Sequence, residues 1–175
     1  EPGTALYNIP VAIRLEGDLD VQVLARALRE VVRRHEALRT TFVVGNPEPK
    51  QRTTSDSAFT LAVEDLTSDT ATLQTRVEQE VLRPFELAHG PLLRALLLKV
   101  DAREHVLVVT MHHIVSDGWS LGVLVREVGA LYAAFVQGQP SPLPELPVQY
   151  ADYAAWQRGW LQGATLQREV DYWKQ

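Results

Sequence analysis

The residues best suited to chemistry are the adjacent histidines His112 and His113, with Asp117 four positions beyond the second. They follow an apolar stretch typical of a strand and precede an amphipathic stretch typical of a helix. Imidazole has a pKa near neutrality, so a histidine here suits general-base work on an amine or an alcohol. A strand-end loop leaves room for substrate, because the strand holds the side chain in place. The segment therefore predicts acid–base chemistry where a strand ends.

The two histidine side chains are expected to lie on opposite faces of the strand and to have different roles. Successive strand residues point to opposite faces, so His112 and His113 cannot both serve one small site. One should face the chemistry and the other should pack elsewhere. The same geometry disfavours a shared metal ion, and no third clustered ligand follows. His35-Glu36 also lacks a second histidine at the spacing of a zinc-protease helix, so we expect no metal.

The loop after the histidines leaves several roles open. Asp117 could orient the imidazole directly, as in a catalytic triad, or hold the loop by pairing with an arginine. Gly118 permits a tight turn and a close backbone approach. Ser120 could cap the following helix, whose first N–H groups favour developing negative charge. A structural reading also stays open, since a strand histidine is often structural and Asp-Gly is an ordinary turn. The sequence contains no Gly-x-Ser-x-Gly segment, and this absence disfavours a serine nucleophile of the α/β-hydrolase type.

The strands are predicted from alternation and from runs of β-branched and aromatic residues. Pro10 cannot donate to a ladder, which places the start of the first strand at a sheet edge. Gly45-Asn46-Pro47 predicts a turn, and hence a hairpin between the second and third strands. The last two strands are strongly apolar and predict antiparallel neighbours in a buried sheet. The predicted strands cover residues 7–15, 38–44, 50–53, 59–63, 92–100 and 105–111.

The helices are predicted from apolar residues at helical spacing. The first covers residues 21–35, and either Asp18 or Asp20 could cap it. Glu30 and Arg34 stand four residues apart and predict an ion pair on its exposed face. Further helices are predicted at 71–82, at 120–135 and from 148 to the end with a break at Gly163. This mixed order favours an α/β or α+β sandwich over a doubly wound fold.

Composition excludes several classes of protein. The 175 residues suffice for one domain with a sizeable core, and the net charge of −5 gives no basic footprint for nucleic acid. The absence of cysteine excludes disulfides and thiolate zinc sites. The apolar runs are predicted to be too short to span a bilayer, and no signal peptide is visible, so we expect a cytoplasmic protein. The abrupt start and end predict a piece of something longer.

Three segments together resemble a known family. The His-His-x-x-x-Asp-Gly pattern from His112 to Gly118, extended by Trp119 and Ser120, resembles the signature of condensation domains of nonribosomal peptide synthetases. A shorter His-x-x-x-Asp-Gly occurs in related acyltransferases and is less specific. Two more of the family's motifs are matched in the same order, by Arg-His-Glu-Ala-Leu-Arg-Thr-Thr-Phe at 34–42 and Tyr-Ala-Asp-Tyr-Ala-Ala-Trp at 150–156.

The resemblance implies a fold and a domain organisation. The fold would be a chloramphenicol-acetyltransferase-like lobe, an α/β (α+β) two-layer sandwich with a mixed sheet flanked by helices. Residues 1–175 would be a partial condensation domain, namely its N-terminal lobe. The family's opening motif and its C-terminal lobe would be absent. Because the active site of the family lies between two lobes, this chain by itself is expected to be inactive.

The resemblance also implies roles for the site residues. His113 would be the catalytic residue, acting near the acceptor amine as a general base or as a group that positions the amine. Asp117 would be structural and salt-bridged to Arg39, so that Asp117→Ala mainly damages folding. Gly118 would lie beside the path of a thioester arm, where a bulky substituent obstructs the tunnel. His112 would support the site or belong to the core.

Roles for the aromatic and flanking residues follow in the same way. Trp119 and Ser120 are candidates for the substrate tunnel. Hydrophobic packing is nevertheless the favoured reading for Trp119, Tyr153 and Trp156. Tyr150 and Asp152 are expected to seat the terminal helix.

The implied reaction joins two carrier-bound substrates. The amine of an acceptor aminoacyl thioester attacks a donor aminoacyl or peptidyl thioester, which forms an amide. The domain itself would bind no cofactor, since phosphopantetheine belongs to the upstream and downstream peptidyl carrier domains. Other partners would be the adenylation domain of the same module and the C-terminal lobe, with no nucleic acid and no membrane. The continuation after Gly118 favours an L-donor and an L-acceptor. The alternatives are an ester-forming acyltransferase of the same superfamily and a non-catalytic carrier-docking lobe.

Overall fold

The computed structural model describes residues 3–45, 48–55 and 59–174. The chain divides into two units, Glu1–Pro144 and Glu145–Gln175. Short 3-10 turns at Glu36–Arg39 and Thr70–Thr72 precede β2 and α2. Along the chain the elements are β1 (Asn8–Glu16), α1 (Val21–Arg34), β2 (Thr40–Val43), β3 (Lys50–Thr53), β4 (Leu61–Asp65), α2 (Leu73–Leu82), β5 (Leu93–Asp101), β6 (Glu104–His112), α3 (Gly118–Val136), α4 (Tyr150–Trp160) and α5 (Gly163–Trp173).

A mixed sheet forms the centre of the first unit, with the strand order β1-β6-β5-β4. The β1–β6 and β5–β6 pairs are antiparallel, whereas β4 and β5 are parallel. β1 lies at an edge, which confirms the prediction made from Pro10. The predicted hairpin is also present, because β2 and β3 pair antiparallel in a separate two-stranded sheet. Asn46 and Pro47 of its predicted turn lie outside the described residues.

Helices cover both faces of the sheet because β5 and β6 are apolar on both. Alternate residues of these strands pack with α1 and α3 on one face and with α2 on the other. The α/β class, with a mixed sheet flanked by helices, is therefore confirmed. The larger cluster includes Leu28, Val31, Leu97, Val109, Met111 and Leu131, and the smaller one includes Leu96, Leu98, Val106 and Val108.

The first helix begins at the second of its two candidate caps. Asp20 accepts hydrogen bonds from the amides of Gln22 and Val23. The predicted pair between Glu30 and Arg34 is wrong, because Glu30 binds Arg33 instead. Arg34 falls on the same helical face as the buried stripe of α1, and only 4% of its surface is exposed.

Arg34 and His35 belong to a partly buried charge cluster that joins α1 to α3. The Arg34 guanidinium lies 3.4 Å from the carboxylate of Glu127, and Nε2 of His35 lies 2.8 Å from the same oxygen. Arg34 also donates to the carbonyl of Pro144 at 2.7 Å. Burial alone would raise the pKa of Glu127, but the hydrogen bonds from His35 and Arg34 outweigh it and lower that pKa. The first two residues of the 34–42 motif therefore connect α1 to α3 inside the first unit.

Helix α3 is long and apolar. It has 19 residues and by length and composition could cross a membrane, which the short apolar runs considered in the sequence did not indicate. The finding is weak support for a membrane span, because the core helix of a soluble protein passes the same test. Leu124, Leu131 and Phe135 of α3 are buried in the core of the first unit, and 22% of the helix is buried in this chain.

The second unit consists of α4 and α5. Asp152 accepts a hydrogen bond from the amide of Gln149 and completes a capping box, which stabilises the start of α4. Gly163, with φ +52°, begins α5 in the left-handed region that favours glycine, which explains the predicted break. Four aromatic rings follow one another along α4 at centroid distances of 5.9, 5.7 and 5.6 Å, namely Tyr150, Tyr153, Trp156 and Trp160.

Candidate active site

The two histidines lie where the central strand β6 ends. The amide of His112 donates to the carbonyl of Leu92 on one side, and the amide of His113 donates to the carbonyl of Tyr7 on the other. Strand pairing thus continues to the last residue before the loop. The backbone under both imidazoles is held by neighbours on each side, which is what a positioned side chain requires.

The His113 imidazole is exposed and has a defined proton arrangement. Its Nδ1 lies 2.8 Å from the carbonyl oxygen of Ser116. A carbonyl oxygen can only accept, so Nδ1 carries the proton and the neutral ring keeps its lone pair on Nε2. Among the described residues no group bonds to that Nε2. His113 is therefore arranged to accept a proton through Nε2, and its catalytic role stays a prediction.

His112 occupies different surroundings from its neighbour. Its Nδ1 accepts a hydrogen bond from the amide of Ile114 at 3.0 Å. Its ring packs against Tyr7 at 5.9 Å and against the edge of Phe85 at 6.0 Å. Burial lowers the pKa of His112, and the neighbouring His113 lowers it further. The part of the chain that the structure describes holds no group of three or more potential metal ligands.

Asp117 caps α3 and serves neither of the two uses that the sequence left open. Its carboxylate accepts from the amide of Ser120 at 2.8 Å and from the Ser120 hydroxyl at 2.6 Å. These hydrogen bonds, with a further one from the amide of Trp119, lower the pKa of Asp117. The expectation that Ser120 caps the helix is wrong, because Ser120 donates to the cap. The Ser116 carbonyl, and not a carboxylate, orients His113.

The predicted ion pair between Asp117 and Arg39 is also wrong. Arg39 ends a 3-10 turn and lies 3.2 Å from Glu36, which precedes it by one turn. Its remaining donors reach the carbonyls of Arg33 and Thr54. Both the guanidinium and the carboxylate are thus satisfied locally. Residue types alone could not reveal this, because two of the partners are backbone carbonyls.

The cap predicts a milder effect of Asp117→Ala than the loss of a buried ion pair. Asn caps helices about as well as Asp, so Asp117→Asn should keep the wild-type melting temperature, while Asp117→Ala should lower it and leave the protein folded. Circular dichroism on both variants measures this difference. An Asp117→Ala protein that fails to fold would contradict a role limited to the helix cap.

The other predicted site residues lie on the exposed start of α3. A Cβ atom added at Gly118 would meet no atom within 4 Å, so the chain's own packing does not require glycine there. Obstruction of a tunnel by a larger residue at 118 stays a prediction. Trp119 is 84% exposed, and the packing reading is therefore wrong for it within this chain. Tyr153 and Trp156 pack on each other, yet 43% and 57% of their surfaces stay exposed.

Fold and site together define the chain as a lobe of the chloramphenicol-acetyltransferase-like class. The family model described as "Condensation domain" matches residues 1–175, and the chain belongs to this family. Its curated relatives include chondramide synthase cmdD of Chondromyces crocatus, 45% identical over 97% of this chain and 4% of that protein. Bacitracin synthase 2 of Bacillus licheniformis is 40% identical over 99% of this chain and 6% of that protein.

Solved structures agree with this assignment. The starter condensation domain of rhizomide synthetase RzmA is 25% identical with a TM-score of 0.88, over 98% of this chain and 42% of that one. The X-domain from teicoplanin biosynthesis is 32% identical with a TM-score of 0.88, over 95% of this chain and 38% of that one. The chain therefore spans less than half the length of each of these two structures. Its family is that of the condensation domains of nonribosomal peptide synthetases.

Proposed function

We propose that this chain supplies the histidine-bearing N-terminal lobe for amide-bond formation between two carrier-bound thioesters. The observation that carries the proposal is the exposed His113, with its proton fixed on Nδ1 and its Nε2 open to a substrate. An α-amine has a pKa of about 8 and must lose a proton to attack, and a neutral imidazole can accept it. The product would be a peptide extended on the acceptor carrier.

Most of the rate enhancement would come from holding the two reactants together. Orientation of tethered reactants can supply a large share of the barrier reduction. The start of α3 is poorly suited to stabilise an oxyanion, because the amides of Trp119 and Ser120 already face the carboxylate of Asp117. This supports proton transfer or amine positioning as the work of His113, with the oxyanion stabilised elsewhere.

The partners proposed are two peptidyl carrier domains, an adenylation domain of the same module and a C-terminal lobe. Phosphopantetheine would arrive on the carriers, and the domain itself would bind no cofactor. Exposed aromatic groups support a covering lobe, since large apolar patches mark interaction surfaces. Trp119 is one such group, and the aromatic row of α4 is another. The chain alone would be inactive, and the whole protein would work in the cytoplasm.

An ester-forming reaction is the second candidate. The SgcC5 protein of Streptomyces globisporus was solved in complex with (R)-(-)-1-(2-naphthyl)-1,2-ethanediol, a diol. It is 31% identical to this chain, with a TM-score of 0.79 over 95% of the chain and 39% of that protein. An imidazole Nε2 can take a proton from a hydroxyl as well as from an amine. The His113 geometry therefore accommodates either acceptor.

A third candidate is a lobe that binds a protein without catalysis. The X-domain from teicoplanin biosynthesis was solved in complex with OxyB. It is 32% identical to this chain and has a TM-score of 0.84. This relative supports the docking alternative, although it says nothing about the state of His113.

The deciding experiment uses the intact domain with both flanking carriers, loaded with a donor acyl group and an acceptor. Mass spectrometry then follows transfer to an aminoacyl acceptor and to a matched hydroxyacyl acceptor. We expect transfer to the amine at a rate well above that to the hydroxyl. Faster transfer to the hydroxyl would support the ester-forming candidate. Carrier binding without transfer to either acceptor would contradict both reactions and support the docking lobe.

A further inference from the structure

The end of helix α2 is anchored by the two strands that flank β6, the strand of His112. Arg94 of β5 donates to the carbonyl of Arg83 at 2.7 Å. Asn8 of β1 donates to the same carbonyl at 2.9 Å and to that of Val81 at 2.7 Å. Carbonyls at the C-terminal end of a helix lack partners within the helix, so these donors satisfy and fix them. The segment that follows α2 therefore has a defined place on the sheet.

Phe85 follows this anchored segment and contacts both Arg94 and His112. The Arg94 guanidinium lies over the Phe85 ring, 3.8 Å from its centroid, and is held by Glu80 at 2.6 Å. The Phe85 ring is perpendicular to the His112 imidazole, with a centroid distance of 6.0 Å. Tyr7 packs against the same imidazole at 5.9 Å. His112 thus has two aromatic neighbours, and one of them, Phe85, is buried and fixed by a strand.

The turn after β6 requires the neutral form of His112. Nδ1 of His112 accepts from the amide of Ile114 at 3.0 Å. A protonated imidazole has no lone pair and cannot accept this bond. A charged His112 would also disfavour proton uptake by the adjacent His113. Burial lowers the pKa of His112, and His113 lowers it further, so both effects favour the neutral ring.

The charged groups near His112 do not replace the contact with Phe85. Arg94 reaches the far ring of Phe85 and is neutralised by Glu80 at 2.6 Å. Arg83 extends toward solvent, with a side chain 66% exposed, and lies 3.8 Å from Glu80. Tyr7 contributes a ring, and His113 is the titratable neighbour along the chain. Within the described residues no carboxylate raises the pKa of His112.

We propose that Phe85 is a positioning residue for His113 and acts through His112. Its ring shields one side of His112 from water, so the imidazole stays uncharged and keeps its bond to the Ile114 amide. Ile114 lies in the turn between His113 and Ser116, whose carbonyl orients the His113 ring. The direction of the His113 ring therefore depends on Phe85. The effect on turnover rests on the proposed function, whereas the effect on the titration of His112 does not.

NMR titration of the histidines in the intact domain measures the first step. Phe85→Ala should raise the His112 pKa toward its ordinary 6.5, and Phe85→Leu, which keeps an apolar neighbour, should raise it less. Phe135→Ala is the matched control, because Phe135 is 6% exposed and has the Arg26 guanidinium 3.9 Å from its ring centroid, near the end of α3 away from the site. It should leave the His112 pKa unchanged. A wild-type His112 that titrates at 6.5 or above, or a pKa that Phe85→Ala does not change, would overturn the proposal.

Peptidyl transfer by the same variants measures the second step. Misplacement of a reacting group can cost on the order of a hundredfold in rate, so we expect kcat to fall by up to about that factor in Phe85→Ala, with KM unchanged. Phe85→Leu fills most of the ring volume and serves if Phe85→Ala does not fold, with Phe135→Leu as its control. A folded Phe85→Leu protein with wild-type kcat and a wild-type His112 pKa would contradict the proposal. Absence of transfer in the wild type would reject the proposed function and leave the titration result standing.

Discussion

Replacing His113 by alanine is expected to slow peptidyl transfer by roughly 10²- to 10⁴-fold, the usual contribution of a positioned acid–base group. The protein should stay folded, because the His113 side chain is exposed and gives up one hydrogen bond, to the Ser116 carbonyl. The rate is measured with loaded carriers by mass spectrometry, and the fold is checked by the melting temperature.

His89→Ala is the matched control for this variant. The His89 side chain is 80% exposed and pairs with Glu86 on the surface, so its removal should leave both rate and stability unchanged. A folded His113→Ala protein with wild-type turnover would contradict the catalytic assignment of His113.

His113→Gln separates the two possible roles of His113, because a glutamine can hold an amine by hydrogen bonding but cannot take its proton. Near-normal turnover of His113→Gln would favour positioning, and a loss like that of alanine would favour general-base catalysis.

The elements of the fold were predictable because their patterns are local. Alternation, helical spacing and punctuation by Gly, Pro and Asp mark β1, α1, the β2–β3 hairpin and the β5–β6 pair close to their observed limits. The edge position of β1 followed from the missing N–H of Pro10. The helix at 163 begins at a glycine with positive φ, as the predicted break requires. These features depend on neighbours along the chain, which a sequence displays directly.

The contacts that place side chains in the site were less predictable because they are not local, or because they involve the backbone. Arg34 was expected on the exposed face of α1, yet its true carboxylate is Glu127, 93 residues away. Asp117 was expected to meet Arg39, whereas it binds Ser120 three residues later. His113 is oriented by a backbone carbonyl, that of Ser116, and every residue type has such a carbonyl, so the sequence does not reveal this contact. The sequence identifies the charged side chains, but the tertiary structure determines which of them form pairs.

The charge cluster around Glu127 predicts the largest loss of stability. Glu127→Ala removes the carboxylate that faces the buried Arg34 guanidinium, whose side chain is 3% exposed. Removing one partner of a buried pair typically costs about 3–5 kcal/mol, because the remaining charge is left in a poorly solvated place. Urea unfolding of the variant and the wild type measures this difference. Glu127→Gln, which keeps the shape and one acceptor, should lose less.

A surface pair gives the matched control for the cluster. Arg14 and Glu104 bridge β1 and β6 with side chains 59% and 32% exposed, so Glu104→Ala should lower the free energy of unfolding by less than about 1 kcal/mol.

The pH dependence of the free energy of unfolding gives a further test of the cluster, with a definite sign. Because the folded pKa of Glu127 lies below its ordinary 4.5, its contribution is fully present above that value and is lost as the pH falls through the lowered pKa. Wild type and Glu127→Gln should therefore converge in stability in acid. A Glu127→Ala protein as stable as Glu104→Ala would mean that water reaches Arg34 and that the cluster does not hold α1 against α3.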